Sequence, residues 1–129
     1  FTVDLAKRIN GDVRLEFIRV SSYGEGTEST GEIKMKLDLK DSIQGKDIIV
    51  VEDIIDTGRT LSYLLEYLKM KKPNSVKLCA LLDKPDRRVM KDVKVDYTGF
   101  EIPDKFVVGY GLDWDEKYRN LPYIGYIEQ

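Results

Sequence analysis

The 129-residue sequence contains no histidine and a single cysteine, and both scarcities limit its chemistry. Without histidine, the chain has no histidine-based catalytic triad and no histidine-ligated zinc site. The single cysteine, Cys79, allows no internal disulfide, and its place within an apolar run predicts a small buried side chain. The function must therefore depend on other residue types.

Strong net charge and long hydrophobic runs are also missing. The formal net charge is −2, with 42% hydrophobic and 34% charged residues, which is ordinary for a globular protein. This net charge gives no support for binding to nucleic acid. No apolar run approaches the roughly 20 residues of a membrane-spanning helix, and no signal peptide is recognisable. We therefore expect a cytoplasmic protein with no nucleic-acid and no membrane partner.

The spacing of apolar residues predicts an α/β fold in a single domain that spans residues 1–129. Helices are predicted at 1–9 and 60–71, and strands at 13–20, 32–39, 48–51, 76–82, 93–100, 106–108 and 123–127. The strand at 48–51, the second helix and the strand at 76–82 form a βαβ unit, which implies a parallel sheet. Residues 21–31 are rich in Ser, Thr and Gly and predict a mobile surface loop.

The stretch DIIVVEDIIDTGRT, residues 47–60, places carboxylates and a glycine directly after the most apolar run. In an open α/β sheet, ligands bind beyond the carboxyl ends of the strands. The helix that follows offers free N–H groups and a dipole that attract an anion. Gly58 permits close backbone approach, and Thr57 and Thr60 add hydroxyl groups. This pattern predicts a cradle for a monophosphate.

The acidic pair before the cradle has two interpretations. Glu52 and Asp53 can accept hydrogen bonds from adjacent sugar hydroxyls, which suits a sugar phosphate. Alternatively, they merely end a strand while Asp56 caps a helix. The complete stretch favours the sugar-phosphate interpretation.

Two better-known phosphate motifs fail elsewhere in the chain. Residues 26–31 have the spacing of a nucleotide-binding P-loop, but Glu32 stands where the lysine is required. Gly109 and Gly111 begin a dinucleotide-binding pattern, but Trp114 replaces its third glycine. Neither an ordinary NTPase nor a nicotinamide-dependent dehydrogenase is supported.

VVEDIIDTGRTL resembles the motif with which type I phosphoribosyltransferases bind phosphoribosyl pyrophosphate (PRPP). LLDKPDRR (81–88) and VDYTGFEIPDKFVVGYGLDWDEKYRNLPYIG (95–125) resemble the hypoxanthine-guanine enzymes of that family, and VSSYGEGTESTGEIK (20–34) their flexible catalytic loop. The resemblance implies a mainly parallel twisted sheet flanked by helices, with a small hood. The family's first strand and first pyrophosphate loop precede the helix that begins here at Phe1. We therefore expect upstream residues to be missing and the hood to be incomplete.

The resemblance also implies roles for individual residues. Those implied to bind PRPP are Glu52, Asp53, Asp56, Thr57, Gly58, Arg59 and Thr60. The acidic pair would hold the ribose hydroxyls, and residues 56–60 the 5′-phosphate. Asp56 is also the implied general base near the imidazole nitrogen of the purine. In the purine site, Lys84 would donate to the 6-oxo group, Phe106 would stack on the base, and the Val107 backbone would read its edge.

On the pyrophosphate side, the resemblance implies magnesium and a closing loop. Asp113 would help to hold Mg²⁺, with Glu52 and Asp53 as further metal-binding candidates. Arg119 would contact pyrophosphate through its fixed set of donors. Ser22 and Tyr23 would belong to a loop that closes and excludes water.

The implied function is purine salvage by a homodimer or homotetramer. A 6-oxopurine base, hypoxanthine or guanine, would react with PRPP to give IMP or GMP and pyrophosphate. Three alternatives stay open: another type I phosphoribosyltransferase, such as a xanthine-preferring one, a sensor of nucleotides or PRPP with the same fold, and an inactive fragment.

Overall fold

The structure, a computed structural model, describes residues 1–22 and 32–128. The helices are α1 (Thr2–Ala6) and α2 (Arg59–Met70), with a 3₁₀ turn at Pro85–Arg87. The strands are β1 (Arg19–Ser22), β2 (Ile33–Leu37), β3 (Asp47–Ile55), β4 (Ser75–Asp83), β5 (Tyr97–Glu101), β6 (Phe106–Val108) and β7 (Gly125–Ile127). No helix in these two ranges is long and apolar enough to cross a membrane.

The predicted α/β fold and its parallel βαβ unit are confirmed. Strands β3, β4 and β5 form a parallel sheet in that order, and α2 connects the first two of them. The pairing runs from Asp47 opposite Ser75 to Ile55 opposite Asp83. The carboxyl ends of β3 and β4 therefore lie at the same edge of the sheet, where loops can combine into one site. The pairs β1–β2 and β6–β7 form two small antiparallel sheets.

The core lies between α2 and the parallel sheet. The spacing of three and then four residues on α2 buries Leu61, Leu64 and Leu68, which pack with residues of β3 and β4. The most completely buried large side chains of the strands are Ile55 and Leu78, both about 1% exposed. Cys79 is buried as predicted, and burial raises the pKa of its thiol.

The strand predicted at 13–20 is mostly wrong, because β1 begins only at Arg19. Alternating residues form a strand only where a neighbouring strand supplies hydrogen bonds. Residues 14–18 line one side of an open groove of about 510 Å³. Residues 46–52, which are the residue before β3 and the first part of that strand, also line it. Within the described residues, no strand pairing connects residues 14–18 with β3.

Several other predicted boundaries of helices and strands differ from the observed ones. The strand predicted at 93–100 begins at Tyr97, because Asp96 already exchanges hydrogen bonds with Leu78 and Val93 turns into the core. The last strand begins at Gly125 rather than 123, and the first helix ends at Ala6 rather than 9. The loop predicted at 21–31 is wrong at residues 21 and 22, which end β1. Its remaining residues lie outside the described part of the chain.

Candidate active site

The loop between β3 and α2 has the geometry of an anion cradle. Gly58 adopts φ +83°, a conformation that favours glycine, and α2 begins at the next residue. The Ser62 N–H donates to Gly58 O at 2.8 Å, which begins the helical hydrogen-bond pattern. Of the N–H groups before it, that of Arg59 donates to Thr57 Oγ1 at 3.4 Å. The N–H groups of Thr57 and Gly58 have no acceptor among the described residues and are available to an anion.

Backbone hydrogen bonds join the loop after β4 to this cradle. The Lys84 N–H donates to Ile55 O at 3.0 Å, and the N–H groups of Val89 and Met90 donate to Thr57 O at 3.0 and 3.1 Å. Lys84 is itself buried at the carboxyl end of the sheet. The two loops therefore form one continuous surface.

A pocket of about 590 Å³ opens beside the cradle. Its lining consists of Asp56, Lys84, Arg87, Asp104, Lys105, Phe106, Tyr126, Ile127 and Glu128. The volume lies within the usual range for small-molecule sites. Asp56, Lys84 and Phe106, which come from three separate parts of the sequence, meet here. Phe106 leaves 43% of its surface exposed, so its ring is available for stacking.

Opposite charges are paired across this pocket. Arg87 Nε contacts Asp56 Oδ1 at 3.0 Å, and its NH1 lies 3.8 Å from Asp104 Oδ2. Asp56 accepts this hydrogen bond and raises the pKa of the Arg87 guanidinium. The ammonium nitrogen of Lys84 lies 3.7 Å from Asp104 Oδ1. The pocket thus offers donors for a carbonyl oxygen and a carboxylate for a ring N–H.

The acidic pair lies inside β3 rather than after it, which corrects the predicted strand end at Val51. The ladder continues through Glu52 opposite Ala80 to Ile55 opposite Asp83. Successive side chains of a strand point to opposite faces. Burial, and then the charge of Asp53, raise the pKa of Glu52 to about 7. Asp53 is exposed, and its Oδ1 accepts a hydrogen bond from the Ile54 N–H at 2.7 Å.

The two residues predicted on the pyrophosphate side are neighbours. Arg119 NH2 lies 3.2 Å from Asp113 Oδ1 and 3.2 Å from Glu116 Oε1. Arg119 NH1 donates to Gly111 O at 2.9 Å. The guanidinium of Arg119 is therefore held within its own loop.

The other predicted site residues are spread over the chain. Ser22 ends β1, and Tyr23 lies outside the described residues. Val107 is in β6, paired with Tyr126 of β7. Arg59 and Thr60 begin α2.

In the described ranges, no group of three or more His, Cys, Asp or Glu side chains is arranged to hold a metal ion. The individual ligand-binding roles stay predictions.

Sequence reasoning missed six residues of the pocket lining, which are Arg87, Asp104, Lys105, Tyr126, Ile127 and Glu128. Arg87 follows Lys84 by one 3₁₀ turn, and Asp104 precedes Phe106 by two residues, so proximity in the sequence is a usable signal for both. Tyr126 reaches the pocket only through the pairing of β7 with β6. Lys105 Nζ lies 3.9 Å from the centre of the Tyr126 ring, a cation–π contact that no sequence pattern indicates.

The chain is similar to known proteins over nearly its full length. The phosphoribosyl transferase domain family matches residues 1–115. The hypoxanthine-guanine phosphoribosyltransferase of Bacillus subtilis is 53% identical over 99% of this chain and 71% of the relative. A hypoxanthine phosphoribosyltransferase structure from Staphylococcus aureus has a TM-score of 0.92 and 51% identity, over 98% of this chain and 68% of that one.

A longer relative contains a similar sequence within a larger protein. The bifunctional protein TilS/HprT of Listeria monocytogenes is 54% identical over 99% of this chain. The chain spans only 20% of that relative's length. The similarity therefore concerns one part of the Listeria protein.

Proposed function

This chain belongs to the phosphoribosyltransferase family, in its hypoxanthine-guanine branch, and on that premise we propose that it transfers the 5-phosphoribosyl group from PRPP to a 6-oxopurine base. The base is hypoxanthine or guanine, and the products are IMP or GMP and pyrophosphate. The reaction belongs to purine salvage.

One observation carries the proposal: the pocket that contains Asp56, Lys84 and Phe106 opens directly beside the anion cradle. A nucleoside monophosphate has a flat base and a phosphate at opposite ends of a sugar. The pocket suits the base, and the N-terminus of α2 suits the phosphate. Asp56 belongs to both features, so it lies where the bond between base and sugar would form.

In the proposed reaction, the pocket orients the purine. Phe106 stacks on the ring, and Lys84 donates a hydrogen bond to the 6-oxo oxygen. Because Arg87 forms an ion pair with Asp56, that ion pair must open before Asp56 can face the imidazole nitrogen of the base. Asp56 then stabilises the positive charge that develops on the purine and accepts its proton.

The remaining contribution is the positioning of the sugar phosphate. Backbone N–H groups at the start of α2 hold the 5′-phosphate, while Glu52 and Asp53 accept hydrogen bonds from the ribose hydroxyls. A fixed phosphate and a fixed base place the anomeric carbon between them, which converts an encounter of two molecules into a reaction within one complex. Ser22 and Tyr23 are proposed to help close the site against water.

The carboxylates present suit a magnesium ion that binds together with the phosphate groups of the substrate. Mg²⁺ prefers oxygen ligands and often binds through one or two carboxylates plus substrate phosphates. Asp113, Glu52 and Asp53 are the carboxylates proposed to hold it. Their separation within the described residues suits this mode better than an all-protein cage. When bound, the ion supplies charge neutralisation for the pyrophosphate group.

Assembly and location are further parts of the proposal. The exposed apolar side chains of β5 include Tyr97 and Phe100, which are 55% and 63% exposed. Such side chains favour burial against another subunit, and we propose a homodimer or homotetramer. The absence of any disulfide agrees with the proposed cytoplasmic location.

A coupled assay tests the reaction. Purified protein of verified intact mass is given PRPP, magnesium and each of hypoxanthine, guanine and xanthine, and nucleoside monophosphate is followed. The Asp56→Asn variant should lose about 100-fold or more in kcat, because it removes a proton acceptor in the transition state. Asp86→Asn, an exposed carboxylate of the adjacent 3₁₀ turn, serves as the matched control. Folded protein that binds PRPP without turnover would instead indicate a sensor.

A further inference from the structure

Two consecutive carbonyl groups of the cradle are held by one neighbouring segment of the chain. Arg88 Nε donates to Asp56 O at 3.3 Å. The next two backbone N–H groups, of Val89 and Met90, both donate to Thr57 O. Both carbonyl oxygens therefore point to the same side of the loop.

This arrangement determines where the amides of the cradle point. In a trans peptide, the C=O group and the following N–H group point in opposite directions, and no cis peptide bond occurs in the described chain. The N–H groups of Thr57 and Gly58 therefore face away from Arg88. Among the described residues, neither N–H has a hydrogen-bond acceptor. Both are available on the side where a phosphate would bind.

Arg88 is fixed by two further contacts. Its NH2 group forms a hydrogen-bonded ion pair with Asp83, the last residue of β4, and these side chains are only 16% and 9% exposed. Its Cδ lies 3.1 Å from the position that a Cβ on Gly58 would occupy. The arginine thus packs directly beneath the cradle while its charge is balanced by a buried carboxylate.

We propose that Arg88 is a positioning residue for the ribose-phosphate substrate. It does not touch the phosphate. Together with Asp83, it holds the Asp56 peptide so that the Thr57 and Gly58 amides are already aimed at the anion. The inference rests on the proposed function, because it assigns the substrate phosphate to this cradle. It goes further in naming an arginine on the opposite side of the loop as the cause of the loop's geometry.

The test compares two substitutions of Arg88 with a matched structural control. Arg88→Gln removes both the ion pair and the donor to Asp56 O. Arg88→Lys keeps the charge for Asp83 but replaces the planar guanidinium, which holds its two partners through two separate nitrogens, with one ammonium group. The control is Asp96→Asn, which alters a similarly buried carboxylate that accepts from Leu78 N–H toward the amino end of β4. Each variant is measured for Tm, kcat, and the KM of PRPP and of the purine.

We expect the KM for PRPP to rise about tenfold in Arg88→Lys and Arg88→Gln, with the KM for the purine changed by less than about twofold. Asp96→Asn should lower Tm but leave the KM for PRPP unchanged. If Arg88→Gln does not fold, Arg88→Lys decides the question. A wild-type KM for PRPP in Arg88→Lys would overturn the proposal.

Hydrogen exchange separates this inference from the proposed function. The backbone amides of Val89 and Met90, which donate to Thr57 O, should exchange faster in both Arg88 variants than in wild type or Asp96→Asn, whether or not the protein turns over substrate. Equal exchange in all four proteins refutes the positioning role. Absence of turnover in wild type, with altered exchange in the Arg88 variants, refutes the proposed reaction alone.

Discussion

Glu52 makes the stability of the free protein depend on pH in a direction opposite to that of most carboxylates. Its pKa rises from an ordinary value of 4.5 to about 7, first because the group is buried and second because Asp53 is charged. The folded state therefore holds a proton more tightly than the unfolded state. The stability associated with this proton is fully present below about pH 4.5 and is lost as the pH rises through about 7.

The size of the effect follows from the shift. One pKa unit corresponds to about 1.4 kcal/mol, so the full shift is worth about 3 kcal/mol, of which about 2.5 kcal/mol falls between pH 5 and pH 8. Glu52→Gln cannot ionise and should not lose this stability. Relative to wild type, the variant should therefore gain about 2.5 kcal/mol in the free energy of unfolding between pH 5 and pH 8.

The assay is urea denaturation of both proteins at several pH values, in EDTA and without substrate. Other titrating groups are common to both proteins, so the difference between their unfolding free energies isolates Glu52. Asp53→Asn should reduce that difference, because the charge of Asp53 contributes to the shift. A difference that stays constant from pH 5 to pH 8 would refute the reasoning.

Three further predictions concern the cradle, the core and the pocket. Gly58→Ala should cost about 1–2 kcal/mol in the free energy of unfolding for its positive φ and also raise the KM for PRPP, because its Cβ would press on Arg88. Leu64→Ala, in the core, should cost about 2–5 kcal/mol in urea denaturation, whereas Met70→Ala on the exposed end of the same helix should cost less than about 0.5 kcal/mol. Phe106→Ala should raise the KM for the purine about tenfold in steady-state kinetics, since it removes the stacking ring. Equal losses of unfolding free energy in Leu64→Ala and Met70→Ala would contradict the assignment of the core. An unchanged KM for PRPP in Gly58→Ala, or an unchanged KM for the purine in Phe106→Ala, would contradict the assignment of the site.

Local sequence patterns predicted the parallel sheet and the helix α2 well. The leucine spacing of α2 located the helix to within one residue at each end. The aliphatic runs identified the strands β3 and β4, although only part of β3 is buried and Ile49 is 48% exposed. Both signals arise from residues that are close in the sequence, so no knowledge of distant contacts was needed.

Features that depend on distant contacts were predicted less well. The segment 13–18 has the alternation of a strand, but a strand also needs a paired neighbour, which the alternation does not reveal. Glu52 was expected after its strand, yet the ladder with β4 continues beyond it. The ion pair between Arg87 and Asp56 joins side chains 31 residues apart, and only the fold brings them together.

The roles of the site residues came from the resemblance, whereas their proximity came from the structure. No periodicity or spacing connects Lys84 with Phe106. The structure places both in the lining of one pocket with Asp56. It also places Arg119 against Asp113. A bound complex would assign a ligand to each of these groups.

The most direct measurement is therefore a crystal structure of the protein with GMP bound. The account predicts a 5′-phosphate that accepts hydrogen bonds from the backbone amides at the start of α2. It also predicts a purine that stacks on Phe106, with its 6-oxo oxygen at Lys84 and with Asp56 released from Arg87. A nucleotide bound in the groove beside residues 14–18, or a phosphate away from residues 56–60, would contradict it.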